Sequence, residues 1–132
     1  MIIGLGIDAI EVDRFEHWHT YDHKKLSKFF APEEIDYCLS LPIKSAERFA
    51  VRFAAKEAFF KAISPLLDKP ISSLLDIAHH IWIQHDDQHK PELMVDWNHF
   101  FTANQEASIK VHVSLTHAKM LAIATVILEQ LS

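Results

Sequence analysis

The sequence predicts a single α+β domain in which one long central helix packs on a mostly antiparallel sheet. Residues 46–63, AERFAVRFAAKEAFFKAI, contain no glycine or proline and many strong helix formers, which indicates one helix of about five turns. One alternating apolar segment precedes this helix and four strand-like segments follow it, an order typical of α+β domains. A length of 132 residues with 49% hydrophobic and 23% charged residues fits one globular domain over residues 1–132.

The first strand is predicted over residues 2–8, IIGLGID. Its apolar side chains alternate with Gly4, Gly6 and Asp8, so Asp8 ends a strip that carries no side chains. These are the only two glycines in the chain, and glycine in a strand often marks close approach by a ligand or another backbone. The alternative is an aspartate that only starts a turn.

The remaining elements follow from periodicity and from turn residues. Pro32, Glu33 and Glu34 predict the start of a helix that runs to about Leu41. Strands are predicted over 77–84, 93–97, 109–115 and 120–128, with a loop over 65–73, turns at 86–90 and 116–119, and a weak helix or loop over 99–107. The last strand is apolar on both faces, which predicts cover on both sides.

The central helix is apolar nearly all round, so we expect it to be buried on more than one side, with a second subunit as one possible cover. Glu57 and Lys61 are four residues apart and therefore neighbours on its surface, beside Ala50 and Ala54. Small residues next to paired charges leave room for a ligand. A simple surface ion pair is the alternative.

Composition limits the function classes. The formal net charge of −5 argues against nucleic-acid binding. The N-terminus lacks a secretory signal and no apolar stretch is long enough to span a membrane, so we expect a cytoplasmic protein. Cys38 is the only cysteine and is expected to be a buried apolar thiol.

Two acids on separate elements, one that ends the glycine strip and one on the central helix, suggest a metal site. Asp8 and Glu57 supply carboxylate oxygens, which suit Mg²⁺ together with waters and substrate phosphates. Lys61 is placed to neutralise charge on a phosphate oxygen, and a histidine, His117, lies in the last tight turn.

Four segments carry a family resemblance: GIDAIEVDR (6–14), FFAPEEIDYC (29–38), RFAAKEAFFKA (52–62) and SLTH (114–117). In this order and at this spacing, they resemble the holo-acyl-carrier-protein synthases, the small 4′-phosphopantetheinyl transferases. The resemblance implies that family's fold and transfer of phosphopantetheine from coenzyme A to a serine of apo-acyl carrier protein, in fatty acid biosynthesis. Adenosine 3′,5′-bisphosphate is the other product, and the serine proton has two candidate acceptors, Glu57 and a metal-bound water.

The resemblance also implies roles for individual residues. Asp8 and Glu57 match the Mg²⁺ ligands, and Lys61 matches the lysine that meets the diphosphate and assists the leaving group. The residues expected near coenzyme A are Arg52, Lys56, Lys61 and His117. In this family the active sites lie between the subunits of a homotrimer, with the histidine supplied by a neighbouring chain. The residues expected to meet acidic groups of the carrier protein are Arg14, which matches a family residue, and nearby Lys24, Lys25 and Lys28.

One segment departs from the family. A glycine-rich turn usually follows the helix, but Ile63, Ser64 and Pro65 stand there in this chain. Because proline has no N–H to offer a phosphate, we expect the loop over 64–73 to take a different path along coenzyme A.

Two other functions fit part of the pattern. An Mg²⁺-dependent nuclease would also use an Asp, a Glu and a Lys, but it needs a basic track that this acidic chain lacks. A binding protein that keeps the fold and has lost turnover through the altered loop is the second alternative.

Overall fold

The computed structural model describes residues 1–101 and 108–131. Within these residues the helices are α1 (His23–Leu26), α2 (Pro32–Leu39) and α3 (Ser45–Ile63), and the strands are β1 (Ile2–Glu11), β2 (Ile81–His85), β3 (Pro91–Val95), β4 (Ile109–His117) and β5 (Leu121–Gln130). Short 3₁₀ turns connect several of them.

The strands form two antiparallel sheets. One has three strands in the order β1-β5-β4, and the other pairs β2 with β3. α3 packs against β1 and β5 on one side and contacts α2 and β2 as well. The predicted α+β class, with a long helix on antiparallel strands, is therefore confirmed, although the strands divide into two sheets rather than one.

α3 begins one residue before its predicted start and ends where predicted. Phe49, Ala54, Ala58 and Phe59 are fully buried by elements of the same chain. Most of the cover of this helix therefore comes from its own chain, through β1, β5, α2 and β2, and a second subunit as further cover stays a prediction.

The predicted strand over 77–84 begins later, at Ile81. Residues 78–80 form a 3₁₀ turn instead. Ile77 and Ala78 are both buried although they are adjacent, which an extended strand with one buried face does not allow. β1 ends three residues later than predicted, at Glu11, and the other boundaries of the predicted helices and strands lie within two residues of prediction. Residues 102–107 of the predicted 99–107 segment lie outside the described residues.

The three-stranded sheet is covered by α3 on one face only. In β5, Ala122, Ala124 and Val126 are buried beneath α3. The opposite face, which we call the outer sheet face, carries Leu5, Ile7, Ile123 and Ile127, with Leu5 directly opposite Ile127. Leu5 is 63% exposed and Ile7 58% exposed, so the predicted cover on both sides of the last strand is incomplete within one chain.

Two smaller expectations can be compared with the structure. Cys38 is fully buried, as predicted, and burial raises the pKa of its thiol to about 12. Among the described residues, no helix combines the length and apolar character needed to cross a membrane.

Candidate active site

The glycines of β1 allow the backbones of β1 and α3 to touch. A Cβ atom at Gly6 would lie 1.8 Å from the carbonyl oxygen of Ala58, and one at Gly4 would lie 2.5 Å from that of Ala62. The close approach expected at these glycines is therefore that of the helix backbone. Asp8 follows Gly6 on the same face of the strand, so this contact holds its carboxylate beside the last turns of α3.

Lys61 bridges from α3 to the end of this strip. Its Nζ lies 3.1 Å from Oδ1 of Asp8 and donates a hydrogen bond to the carbonyl oxygen of Ile7 at 3.0 Å. The lysine thus pairs with Asp8, and the described residues show no ion pair between Lys61 and Glu57. The Lys61 side chain is 52% exposed, so its ammonium can move to another anion at small cost.

Glu57 lies one helical turn before Lys61 and beside Asp8. Partial burial, and then the negative charge of Asp8, raise the pKa of the Glu57 carboxyl, while Lys61 and Arg14 oppose this shift. Its carboxylate takes part in no hydrogen bond within the described part of the chain. Asp8 therefore lies near enough for its negative charge to disfavour ionisation of Glu57.

This carboxylate pair fits one kind of metal ion. Residues 1–101 and 108–131 contain no group of three or more His, Cys, Asp or Glu side chains that could hold a metal by themselves. Two carboxylates leave most positions of an octahedron to water and substrate oxygens, which is the arrangement that Mg²⁺ accepts. Asp8 and Glu57 are thus the candidate metal ligands.

A second cluster lies where α3 begins. A pocket of about 320 Å³ opens there, and we call it the basic pocket. Among the described residues that line it, the basic side chains are Lys44, Arg48, Arg52, His85 and His117, and the one carboxylate is that of Glu47. Burial and the neighbouring Arg52 lower the pKa of His85, which favours its neutral form. The positive charge of the pocket therefore comes mainly from the arginines and Lys44.

Tyr37 holds two guanidinium groups in this pocket. The guanidinium carbons of Arg48 and Arg52 lie 4.0 and 4.5 Å from the centre of its ring. Arg48 donates to the Tyr37 carbonyl oxygen at 2.8 Å, and Arg52 donates to the Arg48 carbonyl oxygen at 3.2 Å. Arg52 is only 3% exposed, and its Nε has no hydrogen-bond partner. An anion entering this pocket would meet preorganised positive charge.

His117 lies at the end of β4 and lines the same pocket. Its Nδ1 contacts Oε1 of Glu47, whose Oε2 lies 3.8 Å from Nζ of Lys44. The structure thus brings Arg52 and His117 together.

The two clusters lie on different sides of α3. Arg52 and Glu57 are five residues apart, which is about 140° around a helix. None of Asp8, Glu57 and Lys61 lines the basic pocket. Within one chain, the structure therefore does not join the carboxylate pair to the basic pocket.

Lys56 belongs to neither cluster. Its side chain has no exposed surface, and its Nζ donates to Oε1 of Glu34 at 2.7 Å and to the carbonyl oxygens of Phe29 and Ala78. The expectation that Lys56 contacts coenzyme A is not supported by this position, because all three of its donors are used inside the core. Burial lowers the pKa of Lys56, and the Glu34 carboxylate opposes this effect.

The sequence model of the 4′-phosphopantetheinyl transferase superfamily matches residues 4–126. The chain belongs to this superfamily. The resemblance drawn from the four sequence segments is therefore confirmed.

Curated relatives of the same kind align over nearly the whole chain. The holo-[acyl-carrier-protein] synthase of Treponema denticola is 42% identical over 129 residues, covering 98% of this chain and 99% of the relative. That of a Geobacillus species is 37% identical, with complete coverage of both.

Solved structures of this family also match the fold. A holo-(acyl-carrier-protein) synthase from Bacillus anthracis, in complex with CoA (3′,5′-ADP), is 31% identical with a TM-score of 0.73, covering 100% of this chain and 99% of the other. The synthase from Neisseria meningitidis has a TM-score of 0.74 at 26% identity, with coverage of 98% and 100%.

The basic residues expected to meet a carrier protein are exposed. Arg14 stacks over Phe53 at 5.1 Å and is close enough to affect the pKa of Glu57. Lys24 and Lys25 lie on α1, with Lys28 just after it. Arg14 is thus tied to the carboxylate pair, whereas no contact links the three lysines to that pair.

Sequence reasoning misjudged some neighbours of the site. Ala50 and Ala54 are fully buried, so they leave no ligand space beside Glu57. Arg48 and Glu47 were missed. The spacing of four between Arg48 and Arg52 places both on one side of a helix and was a usable signal. Nothing in the sequence linked Glu47 to a histidine 70 positions later.

Proposed function

We propose that this protein transfers the 4′-phosphopantetheine group of coenzyme A to a serine hydroxyl of an apo-acyl carrier protein, with adenosine 3′,5′-bisphosphate as the second product. The observation that carries the proposal is the meeting of Asp8, Glu57 and Lys61 at the contact between β1 and α3. Family membership and the names of the relatives support the same reaction.

We further propose that Asp8 and Glu57 hold Mg²⁺. When bound, the ion would neutralise charge on the diphosphate of coenzyme A. The two carboxylates suit it because the negative charge of Asp8 disfavours ionisation of Glu57, and a bound divalent cation would offset that repulsion.

Lys61 then has a role that its exposure allows. In the free protein its ammonium pairs with Asp8. With a cation held by Asp8 and Glu57, the ammonium of Lys61 would be free to meet the diphosphate and to stabilise the leaving group. Transfer of a phosphoryl group depends chiefly on such positioning and charge neutralisation. Glu57 and a metal-bound water remain the two candidate acceptors for the serine proton.

The basic pocket is proposed to receive phosphate of coenzyme A through Arg52 and His117. The buried guanidinium of Arg52 and its unpartnered Nε support this assignment. Because the pocket and the carboxylate pair lie on different sides of α3, one coenzyme A would reach both most simply across a boundary between two chains. We therefore propose a homotrimer with active sites between subunits, and the exposed outer sheet face offers apolar surface for such assembly.

The carrier protein is proposed to dock on Arg14, with Lys24, Lys25 and Lys28 extending the basic surface. Arg14→Glu should weaken carrier-protein binding and leave coenzyme A binding intact. Unchanged affinity for both would show that the docking surface lies elsewhere. Cytoplasmic location and a role in fatty acid synthesis remain predictions.

The first test is the mass of an apo-acyl carrier protein after incubation with this protein, coenzyme A and Mg²⁺, with and without chelator. We expect a gain of one phosphopantetheine group that chelator abolishes and that Glu57→Gln loses. No gain, with coenzyme A still bound by folded protein, would favour a binding protein that has lost turnover. Cleavage of DNA or RNA without coenzyme A would favour the nuclease.

The second test concerns the assembly. Asp8→Ala and His117→Ala chains should each be inactive alone. If sites form between neighbouring subunits, random mixing restores both native residues in about one quarter of sites. Absence of any recovery after subunit exchange, in protein that is trimeric by sedimentation, would place both residues of a site in one chain.

A further inference from the structure

The contact between Glu47 and His117 joins the first turn of α3 to the end of β4. Both side chains are partly exposed at the mouth of the basic pocket, Glu47 at 23% and His117 at 47%. The carboxylate meets the Nδ1 atom of the imidazole, so the Nε2 atom points away from Glu47.

The second ring nitrogen is the one available for a ligand. No hydrogen bond to Nε2 of His117 is present in the part of the chain that the structure describes. A carboxylate on Nδ1 fixes both the protonation of that nitrogen and the orientation of the ring, which is how histidines that bind ligands are commonly held. Arg52 lines the same pocket with a buried guanidinium whose Nε also lacks a partner.

We propose that Glu47 is a positioning residue: it accepts a hydrogen bond from Nδ1–H of His117 and so turns Nε2 to the phosphate of coenzyme A that enters the basic pocket. The ring in its doubly protonated form then donates to that phosphate from Nε2–H. This role rests on the proposed function, because it takes the phosphate as the occupant of the pocket. Glu47 itself does not touch the phosphate. Lys44, 3.8 Å from the other oxygen of Glu47, reduces the repulsion between that carboxylate and the incoming anion.

Another role for the same carboxylate has the opposite consequence. Glu47 is the one carboxylate among the described residues that line the basic pocket, and it would otherwise compete with the phosphate for His117 and Lys44. Removing a competitor strengthens phosphate binding, whereas removing a positioning group weakens it. The sign of one measured affinity change therefore separates the two roles.

The experiment titrates the full-length protein with coenzyme A and, separately, with adenosine 3′,5′-bisphosphate. Glu47→Ala should weaken binding of both by about tenfold, as expected for loss of one hydrogen bond that involves charged groups. Glu47→Gln should stay within a few-fold of the unmodified protein, because its amide oxygen still accepts from Nδ1–H. In transfer assays, Glu47→Ala should raise KM for coenzyme A and leave kcat nearly unchanged.

Two controls give the result its meaning. Asp96→Ala removes a carboxylate from the Nδ1 atom of His80, 3.2 Å away and outside the basic pocket, and should leave both affinities unchanged. In a His117→Ala background, Glu47→Ala should cause no further loss of affinity for either ligand, since its effect acts through the imidazole. A full further loss in that background would overturn the proposal, as would tighter or unchanged binding by Glu47→Ala alone.

A spectroscopic measurement tests the positioning without any ligand. The ¹⁵N chemical shifts of the His117 imidazole should report protonated Nδ1 in the unmodified protein and in Glu47→Gln. Glu47→Ala should shift toward the other tautomer. Identical spectra in all three would refute the orienting role. If the unmodified protein binds no coenzyme A, the proposed function and the ligand role fail together, while the spectra still decide whether Glu47 orients His117.

Discussion

The buried ion pair between Lys56 and Glu34 yields the sharpest stability prediction. Both side chains have no exposed surface, and Oε1 of Glu34 accepts from Lys56 at 2.7 Å and from the Ala31 N–H at 2.9 Å. Its Oε2 accepts from the Ile83 N–H at 2.9 Å. Lys56→Met keeps the apolar stem but leaves this carboxylate in the core without a counter-charge.

The expected cost follows from that geometry. Removing one partner of a buried ion pair costs about 3–5 kcal/mol, and the carbonyl oxygens of Phe29 and Ala78 also lose their donor. Lys61→Met is the matched control, since it makes the same replacement on the same helix. Its ammonium is half exposed, so that change should cost less than about 1 kcal/mol.

The assay is urea unfolding of both variants at one protein concentration, with the slope of free energy against denaturant checked for constancy. Adding Glu34→Gln to Lys56→Met should recover part of the lost free energy of unfolding, because the uncompensated negative charge is removed from the core. Equal stability of Lys56→Met and Lys61→Met would refute the structural role. A stable Lys56→Met protein that had lost coenzyme A binding would restore the original expectation for this lysine.

Three further predictions rest on single sites. Gly6→Ala should destabilise the protein by about 1–3 kcal/mol or more, because the new Cβ would lie 1.8 Å from the Ala58 carbonyl oxygen. A urea unfolding midpoint equal to that of the unmodified protein would show that β1 can move away from α3. The Cys38 thiol, with its pKa raised to about 12, should react with a disulfide reagent only as fast as the protein unfolds, and rapid labelling of native protein would contradict its burial. The raised pKa of Glu57 means that the folded state binds more protons than the unfolded state just above pH 4.5, so stability of the metal-free protein should rise as pH falls through the folded-state pKa. In chelator at pH 7.5, Glu57→Gln should therefore have a higher melting temperature than the unmodified protein, and the difference should shrink with added Mg²⁺. A lower melting temperature of Glu57→Gln in chelator would show that the charge at Glu57 stabilises the fold.

Most of the fold could be predicted from local pattern. The residues of α3 lack glycine and proline, so this helix was found to within one residue. The alternation in β1 and β4 is clear, so the starts of both strands were found, although each strand runs two or three residues further than predicted. The segment 77–80 was misassigned because an apolar residue at every second position also fits a turn that buries two adjacent side chains. The division into two sheets depends on long-range packing, which periodicity does not report.

The candidate site was predictable where single elements carry it. Asp8 lies on one strand, and Glu57 and Lys61 lie one turn apart on one helix, so each was visible from local pattern. Their residue types suggest a metal and a phosphate. The role of Lys56 was not predictable in the same way, because its partner Glu34 is 22 residues away and no periodicity links them. The spacing of four residues suggested an ion pair between Glu57 and Lys61, whereas in the folded chain Lys61 pairs with Asp8.

Lys56 and Glu57 are adjacent in sequence, yet one belongs to the core and the other to the candidate active site. They point about 100° apart around α3, so the rotation of the helix about its axis decides which charge faces which environment. That rotation is fixed on one side by the contact of Gly6 with Ala58 and on the other by the ion pair with Glu34. A larger residue at position 6 would push the helix away from β1 and so move Glu57 from Asp8. Loss of the ion pair would release the opposite side. The two glycines and the buried ion pair therefore act on the candidate metal site through the orientation of the helix, although none of them is itself a candidate ligand.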